Sequence, residues 1–211
     1  TEGGSMTDIY VYNQLTKDNN GNIKVDQNGN LGITSSNTPV KVGNLDADFN
    51  LGWTNHFTYK GIDLGIVLSA RVGGLAYSAT QGILDYYGVS GTSATARDNG
   101  GIPINNGKVN AQKYYQTIGT GEGGYGRYYL YSATNVRLQE LSLNYTLPKR
   151  WFKNVANVTL GIVGRNLWMI YCKAPFDPEL SASTSSNYYM NVDYFMQPSL
   201  RNFGFNVKVQ F

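Results

Sequence analysis

The sequence predicts an all-β chain of five or six antiparallel strands, joined alternately by short turns and long polar loops. Apolar residues recur at every second position over segments of about 11 residues, the length of a tilted membrane strand. Charged residues make up only 15% of the 211 positions, against about 25% in soluble domains. No apolar run approaches the roughly 20 residues of a membrane helix. Together these features favour a transmembrane β-barrel, whose strands expose only alternate residues to lipid.

The alternation is clearest in 49–59 and 62–72, which a tight turn at Lys60–Gly61 connects, and in 203–211 at the end of the chain. Since alternate side chains point to opposite faces, one face of each strand is apolar and the other polar. We expect the apolar set to face lipid, namely Leu51, Trp53, Phe57, Ile62, Leu64, Ile66, Leu68, Phe205, Val207 and Val209. We expect the polar set to face the lumen, namely Thr54, Asp63, Ser69, Asn206 and Lys208.

Three further strands are less regular. Segment 136–147 changes phase at Gln139–Glu140, which predicts a β-bulge, and segment 158–171 loses its alternation around Gly164–Asn166. A sixth strand is weakly indicated at 8–12. The connections 13–45, 73–130 and 172–197 are long and polar, with one short helix expected at 109–118. Short turns alternating with long loops are typical of outer-membrane barrels and would place the long loops outside the cell and the C-terminus in the periplasm.

Four segments resemble the C-terminal region of SusC/RagA-type TonB-dependent transporters: 59–74, 136–151, 161–171 together with 176–181, and 199–211. They contain a leucine-rich strand ending in Tyr-Thr-Leu-Pro, a Gly-Arg-Asn-Leu strand, an Asp-Pro-Glu loop and a terminal aromatic residue, in that order. The resemblance implies that 1–211 form the C-terminal strands of a large, 22-stranded transmembrane β-barrel. The plug domain and the remaining strands are absent from 1–211, so another part of the barrel must pair with these strands.

The same resemblance implies active import of glycan or peptide nutrients across the outer membrane of a Gram-negative bacterium. The implied partners are a SusD-like surface lipoprotein, the TonB complex and the barrel-assembly machinery, with transporter–lid pairs forming a dimer. We expect Phe211, the terminal aromatic, to be the signal that the assembly machinery recognises. A plain girdle role for this residue is the alternative.

Catalytic and metal sites are not expected. His56 is the single histidine and Cys172 the single cysteine, so no zinc set or catalytic triad can be assembled. Asp177 and Glu179 flank Pro178, and we expect them to shape a loop. The glycines of 119–124 lack the strand and helix that a dinucleotide site requires. Lysine and arginine are scattered, which argues against nucleic-acid binding. Asp/Asn-rich loops at 18–22 and 26–30 could hold calcium, although neither follows the EF-hand pattern.

Tyrosine is abundant in the predicted outer loops, with 17 residues in the chain. Aromatic rings offer sugars and peptides a stacking surface with a polar hydroxyl. We expect some members of one group to contact substrate or a lid subunit: Tyr114, Tyr115, Tyr128 and Tyr129. The alternative is that these rings only pack the loops together.

The sequence is also compatible with two other functions. A passive porin would share the strands and loops but would need no energy coupling. A secreted β-sandwich binding module would cover the apolar faces with a second sheet instead of lipid.

Overall fold

The computed structural model describes residues 3–119, 126–180 and 191–210. The chain divides into two compact units. We call Ala47–Gly74, Ser132–Pro178 and Gln197–Phe211 the sheet unit, and Thr1–Asp46, Leu75–Tyr131 and Glu179–Met196 the loop unit. Among the described residues, no helix is long and apolar enough to cross a membrane.

Twelve strands and three α-helices are found in the described residues. The strands are β1 Asp8–Leu15, β2 Ile33–Asn44, β3 Phe49–Tyr59, β4 Ile62–Val72, β5 Leu75–Ser78, β6 Ile102–Ile104, β7 Gly107–Val109, β8 Leu130–Ser132, β9 Asn135–Thr146, β10 Asn157–Cys172, β11 Val192–Asp193 and β12 Asn202–Gln210. The helices are α1 Ala79–Tyr86, α2 Gly91–Asp98 and α3 Ala111–Ile118. Short 3-10 turns span Gly126–Tyr129 and Lys149–Phe152.

The sheet unit is built on one antiparallel sheet in the order β12-β10-β9-β4-β3. Its five strands coincide with the five clearer segments predicted from the sequence, with ends that differ by at most one residue. The turn at Lys60–Gly61 has positive φ at both positions, 46° and 84°, as tight hairpins require. Antiparallel strands of barrel length, as predicted, are therefore confirmed.

The register sorts the sheet into two faces. One row across all five strands is apolar: Phe57, Leu64, Leu143, Ile162 and Phe205. The adjacent row is polar apart from one glycine: Thr58, Asp63, Asn144, Gly161 and Asn206. Residues directly opposite one another share a face, so the predicted grouping into an apolar and a polar set is correct. The apolar face is open, with Phe205 69% and Phe57 53% exposed.

Both predicted irregularities are present. Val67 pairs with Glu140 and Leu68 with Leu138, which leaves Gln139 as an extra residue in β9. On the other side of β9, the register with β10 shifts between Arg165 and Trp168, where Asn166 has a φ of 53°. A bulge at Gln139 is therefore confirmed, and it coincides with the break in β10.

Within the described residues, β3 and β12 are the outer strands of this sheet, each paired on one side only. An unpaired edge presents a row of backbone N–H and C=O groups. These two edges are where further strands would continue the sheet.

Two loop predictions are wrong. Segment 13–45 was expected to be a loop, but β1 extends to Leu15 and pairs with β2 in a separate two-stranded sheet. The weakly indicated strand at 8–12 is thus real, yet it does not join the five-stranded sheet. The sequence hides β2 because its residues, from Ile33 to Asn44, are largely polar on both faces, so the period-two signal is weak.

The segment 73–130 is also more ordered than expected. The predicted helix is confirmed as α3, while α1 and α2 were missed because they bury small or polar residues such as Gly82 and Ser93, which gives little apolar periodicity. The loop unit has its own apolar core: Leu15, Leu31, Ile104, Val109, Ile118 and Tyr129. Residues of β1, β7 and α3 contribute to this core, so the long connection folds as a small domain.

Candidate functional site

The candidate site lies at the surface that helices α1, α2 and α3 form in the loop unit. Each begins with a side chain that caps its free amides: Ser78 accepts from the amide of Gln81, and Ser90 from the amide of Ser93. Asn110 accepts from the amides of Gln112 and Lys113. Such caps contribute about 1 kcal/mol each. They explain how three short helices begin in sequence that carries little apolar periodicity.

A cleft of about 420 Å³ lies among the three helices. Its lining includes Asp85 at the end of α1, Arg97 on α2, and Gln112, Tyr115 and Gln116 on α3. Tyr86 and Tyr87 also line it, and their rings meet edge to face with centroids 5.1 Å apart. The volume lies within the range of small-molecule pockets. The cleft thus combines aromatic rings with polar side chains.

Asp85 is the fixed charge of this cleft. The residue is 4% exposed, and its Oδ1 accepts hydrogen bonds from Gln81 Nε2 at 2.9 Å and from Thr92 Oγ1 at 2.9 Å. The hydroxyl of Ser90 also donates to Oδ1. Donors that converge on one carboxylate oxygen satisfy a buried charge and hold the side chain in one orientation. Sequence analysis did not single out Asp85, since a lone aspartate in a polar segment carries no signal.

A second cleft of about 610 Å³ lies on the other side of α2. Thr92, Thr95 and Asn99 of this cleft alternate along α2 with Ser93 and Arg97 of the first cleft. Lys108 and Tyr115 also line the second cleft. Tyr115 is therefore common to both clefts.

The four tyrosines proposed as contacts occupy different environments. Tyr115 lines both clefts and its ring meets that of Tyr114 edge to face, with centroids 5.3 Å apart. Burial raises the pKa of Tyr114, with the nearby Tyr128 adding to the effect. Tyr128 accepts a hydrogen bond from the amide of Leu15 at 3.4 Å. Tyr129 is only 3% exposed and belongs to the apolar core.

Tyr129 is the most deeply buried of the four tyrosines. Burial, followed by the charge of Asp85, raises the pKa of Tyr129 well above its usual value. Its ring packs against Gly82: a Cβ added to Gly82 would lie 3.5 Å from the ring carbons of Tyr129. Tyr129 therefore belongs to the core, Tyr114, Tyr115 and Tyr128 are partly buried against it, and Tyr115 also lines both clefts.

The Asp-Pro-Glu segment is structural around Asp177. Arg137 Nη2 lies 2.7 Å from Asp177 Oδ1, and the side chains are 4% and 7% exposed. Pro178 beside it is fully buried. A carboxylate paired with a buried guanidinium joins two segments of the chain, and removing one partner would leave an uncompensated buried charge. This agrees with the expectation that the segment shapes a loop.

The two Asp/Asn-rich loops form a tandem repeat of 8 residues. Asp18 Oδ1 accepts from the amides of Asn20 and Asn22, at 2.8 and 2.9 Å. Asp26 Oδ1 accepts from the amides of Asn28 and Asn30, both at 2.8 Å. In each turn Oδ2 accepts from the asparagine side-chain amide. The carboxylates stabilise their own turns, which weakens the interpretation of these loops as calcium sites.

Three backbone hydrogen bonds connect the residues that flank these two turns. The amide of Thr16 donates to the carbonyl of Gly32, that of Lys24 to Thr16, and that of Gly32 to Lys24, all at 2.8–2.9 Å. An added Cβ on Gly32 would lie 3.1 Å from Lys24 Cβ and 3.3 Å from Thr16 Cβ. A side chain at position 32 would crowd the point where these three segments of the chain converge.

The other candidates identified in the sequence form no site. Within 3–119, 126–180 and 191–210, no three His, Cys, Asp or Glu residues come together as a metal set. His56 lies on the polar face of β3, where its ring covers Gly65. The glycine-rich pattern of 119–124 and the terminal Phe211 lie outside the described residues, except for Gly119.

Comparisons with known proteins agree with the fold. No family model matches the chain. It is 26% identical over 217 residues to TonB-dependent receptor P3 of Formosa agariphila, a match that covers all of this chain and 21% of the relative. The chain therefore spans about a fifth of the length of the curated relative it matches.

Solved structures of the RagAB peptide importer share the fold. The open-open state matches with a TM-score of 0.58 at 17% identity, over 96% of this chain and 22% of that one. The closed-closed state matches with a TM-score of 0.52 at 18% identity, with the same coverage. The five-stranded sheet is thus part of a barrel architecture. This chain resembles the TonB-dependent outer-membrane transporters of the SusC/RagA type, as its four sequence segments indicated.

Proposed function

We propose that the chain forms part of the wall and outer loops of a TonB-dependent importer of glycan or peptide nutrients. The five-stranded sheet is the main support for this proposal, because an open apolar row lies beside a polar row. The apolar row consists of Phe57, Leu64, Leu143, Ile162 and Phe205. A sheet with one lipid-compatible face and one polar face is how a transmembrane barrel separates lipid from its lumen. The match to a curated TonB-dependent receptor supports the same interpretation.

The two unpaired edges, β3 and β12, define what the rest of the protein must supply. Unpaired backbone groups in lipid cost several kcal/mol each, so further strands of the barrel would pair with both edges. Phe211 would act as the signal for the barrel-assembly machinery, as the resemblance to SusC/RagA-type transporters implies. Replacing Phe211 with alanine should lower the amount of folded protein in the outer membrane, and normal amounts would refute the signal role.

The loop unit would lie outside the cell, with a SusD-like lipoprotein above it and TonB on the periplasmic side. Transporter–lid pairs would associate as dimers. The loop unit has the folded core and clefts of a binding surface. The protein would act by binding and conformational change, without catalysing a reaction.

The decisive experiment tests whether uptake depends on energy coupling through TonB. Uptake of labelled oligosaccharides and oligopeptides should be measured in cells that carry the intact transporter, with and without a functional TonB complex. We expect uptake of one of these classes to disappear when TonB is removed. Uptake that continues without TonB would favour the passive porin and refute active import.

A further inference from the structure

We propose that the first helical cleft is a carbohydrate-binding subsite that captures one end of a glycan on the outer surface. This inference rests on the proposed import function, because that function places the loop unit outside the cell. The cleft is defined by Asp85, Arg97 and the side chains of α3 that line it.

The lining chemistry favours a ligand rich in hydroxyl groups. Gln112 and Gln116 offer both donors and acceptors, Arg97 offers donors only, and Asp85 offers acceptors only. A sugar hydroxyl both donates and accepts, so it can match all of these groups. Ala111 is the one aliphatic side chain in the lining, and the other apolar surface comes largely from tyrosine rings.

The aromatic residues supply the second part of a sugar site. Tyr86, Tyr87 and Tyr115 line the cleft, and Tyr87 is 72% exposed. The edge-to-face pair of Tyr86 and Tyr87 fixes how their rings are presented. Flat rings with a hydroxyl stack against the apolar faces of sugar rings while keeping a polar handle.

Rigidity of the charged group distinguishes this cleft from an ordinary surface hollow. Asp85 is held by Gln81, Ser90 and Thr92, and Ser93 beside it is 1% exposed. A polar group that is already oriented avoids the entropy cost of being ordered when the ligand binds. Asp85 therefore fixes this wall of the cleft before a ligand binds.

A peptide fits this cleft less well. Extended peptides are commonly bound by pairing with an exposed strand edge. The first cleft is lined by residues of α1, α2 and α3 and by Tyr87 and Gly88, which offer no strand edge. The second cleft, which shares Tyr115, gives a longer glycan a surface along which to continue.

The test uses the intact transporter purified in detergent, titrated calorimetrically with maltose, cellobiose, lactose and chitobiose, and with trialanine as the peptide probe. We expect saturable binding of at least one disaccharide. Gln112→Ala and Gln116→Ala, both at exposed positions, should each weaken it about three- to tenfold, the effect of one lost hydrogen bond. Tyr115→Ala should weaken it further. Tyr12→Ala, at an exposed tyrosine of β1, is the matched control and should leave binding unchanged.

Three outcomes would overturn the inference: no disaccharide binds, trialanine alone binds, or the glutamine variants bind as the unchanged protein does. Uptake measured in parallel separates this failure from that of the proposed function. TonB-dependent uptake with no disaccharide binding refutes the subsite alone. Disaccharide binding at the cleft with TonB-independent uptake refutes active import alone.

Discussion

Arg137 and Asp177, 40 residues apart in sequence, form a buried ion pair with 2.7 Å between Nη2 and Oδ1. The pair is part of a closed polar ring. Arg137 Nη1 donates to Asn166 Oδ1 at 3.3 Å, Asn166 Nδ2 donates to Ser199 Oγ at 2.9 Å, and the Ser199 hydroxyl donates to Asp177. The ring joins β9, the irregular point of β10, the segment after β10 and the segment before β12.

The first prediction concerns this ring. Asp177→Ala leaves a buried guanidinium without its charged partner and should lower the free energy of unfolding by about 3–5 kcal/mol. The measurement is denaturant unfolding of the intact transporter in detergent. Glu140→Ala is the matched control, because it breaks the Arg165–Glu140 pair, which has the same 2.7 Å separation but is 66% and 31% exposed. The control should cost about 0–1 kcal/mol. Equal effects of the two variants would show that burial of the ring is irrelevant to stability.

The second prediction tests which face of the sheet meets lipid. Ile66 pairs with Leu141 on the apolar face, and its neighbour Val67 pairs with Glu140 on the polar face. Ile66→Arg should cost about 2–4 kcal/mol if the residue lies near the bilayer midplane. Val67→Arg, one position away, should cost much less because its side chain enters the polar face beside a carboxylate. Folded yield in the outer membrane and unfolding in lipid vesicles measure both, and a larger cost at Val67 would reverse the assignment of faces.

The strands could be predicted because their apolar residues alternate along the sequence, and the register aligns these residues across the sheet. Leu64 and Ile162 are apolar in a strict alternation, and the structure aligns both with Leu143 of β9. The loop unit could not be predicted in the same way. Helices α1 and α2 are capped by Ser78 and Ser90 and bury small or polar residues such as Ser93, so their helical periodicity is weak. The cleft depends on Asp85, Arg97 and Gln112 meeting from three helices, a relationship that spacing along the chain does not encode.

The third prediction separates packing from ligand contact among the loop tyrosines. Tyr129 is buried in the apolar core of the loop unit, so Tyr129→Ala should lower local stability by about 3–5 kcal/mol through the cavity it leaves. Hydrogen exchange in α1 and α3 should rise sharply. Tyr129→Phe keeps the ring and should preserve protection. Tyr12→Ala, at a tyrosine 56% exposed, should change stability by no more than about 0.5 kcal/mol. Unchanged exchange in Tyr129→Ala would contradict the core role.

The last prediction concerns the tandem turns at Asp18 and Asp26. The backbone amides of Asn22 and Asn30, respectively, are the largest factors that hold the pKa of these two carboxyls below the usual value. A carboxyl whose pKa is lower in the folded state stabilises that state when it is charged. Its contribution is complete above the unfolded value of about 3.9 and is lost as the pH falls through the folded value.

Hydrogen exchange in 16–32, corrected for the intrinsic pH dependence, should therefore report loss of protection at acid pH. Asp26→Ala removes the acceptor of the backbone amides of Asn28 and Asn30 and of the Asn30 side-chain amide, and should raise exchange in this segment already at neutral pH. Asp26→Asn keeps an oxygen acceptor and should have a smaller effect, with less loss of protection in acid because its amide does not titrate. Asp98→Ala, at an exposed carboxylate on α2, is the control. If the segment exchanged equally in Asp26→Ala and the unchanged protein, the turns would owe their geometry to the three backbone hydrogen bonds of Thr16, Lys24 and Gly32 alone.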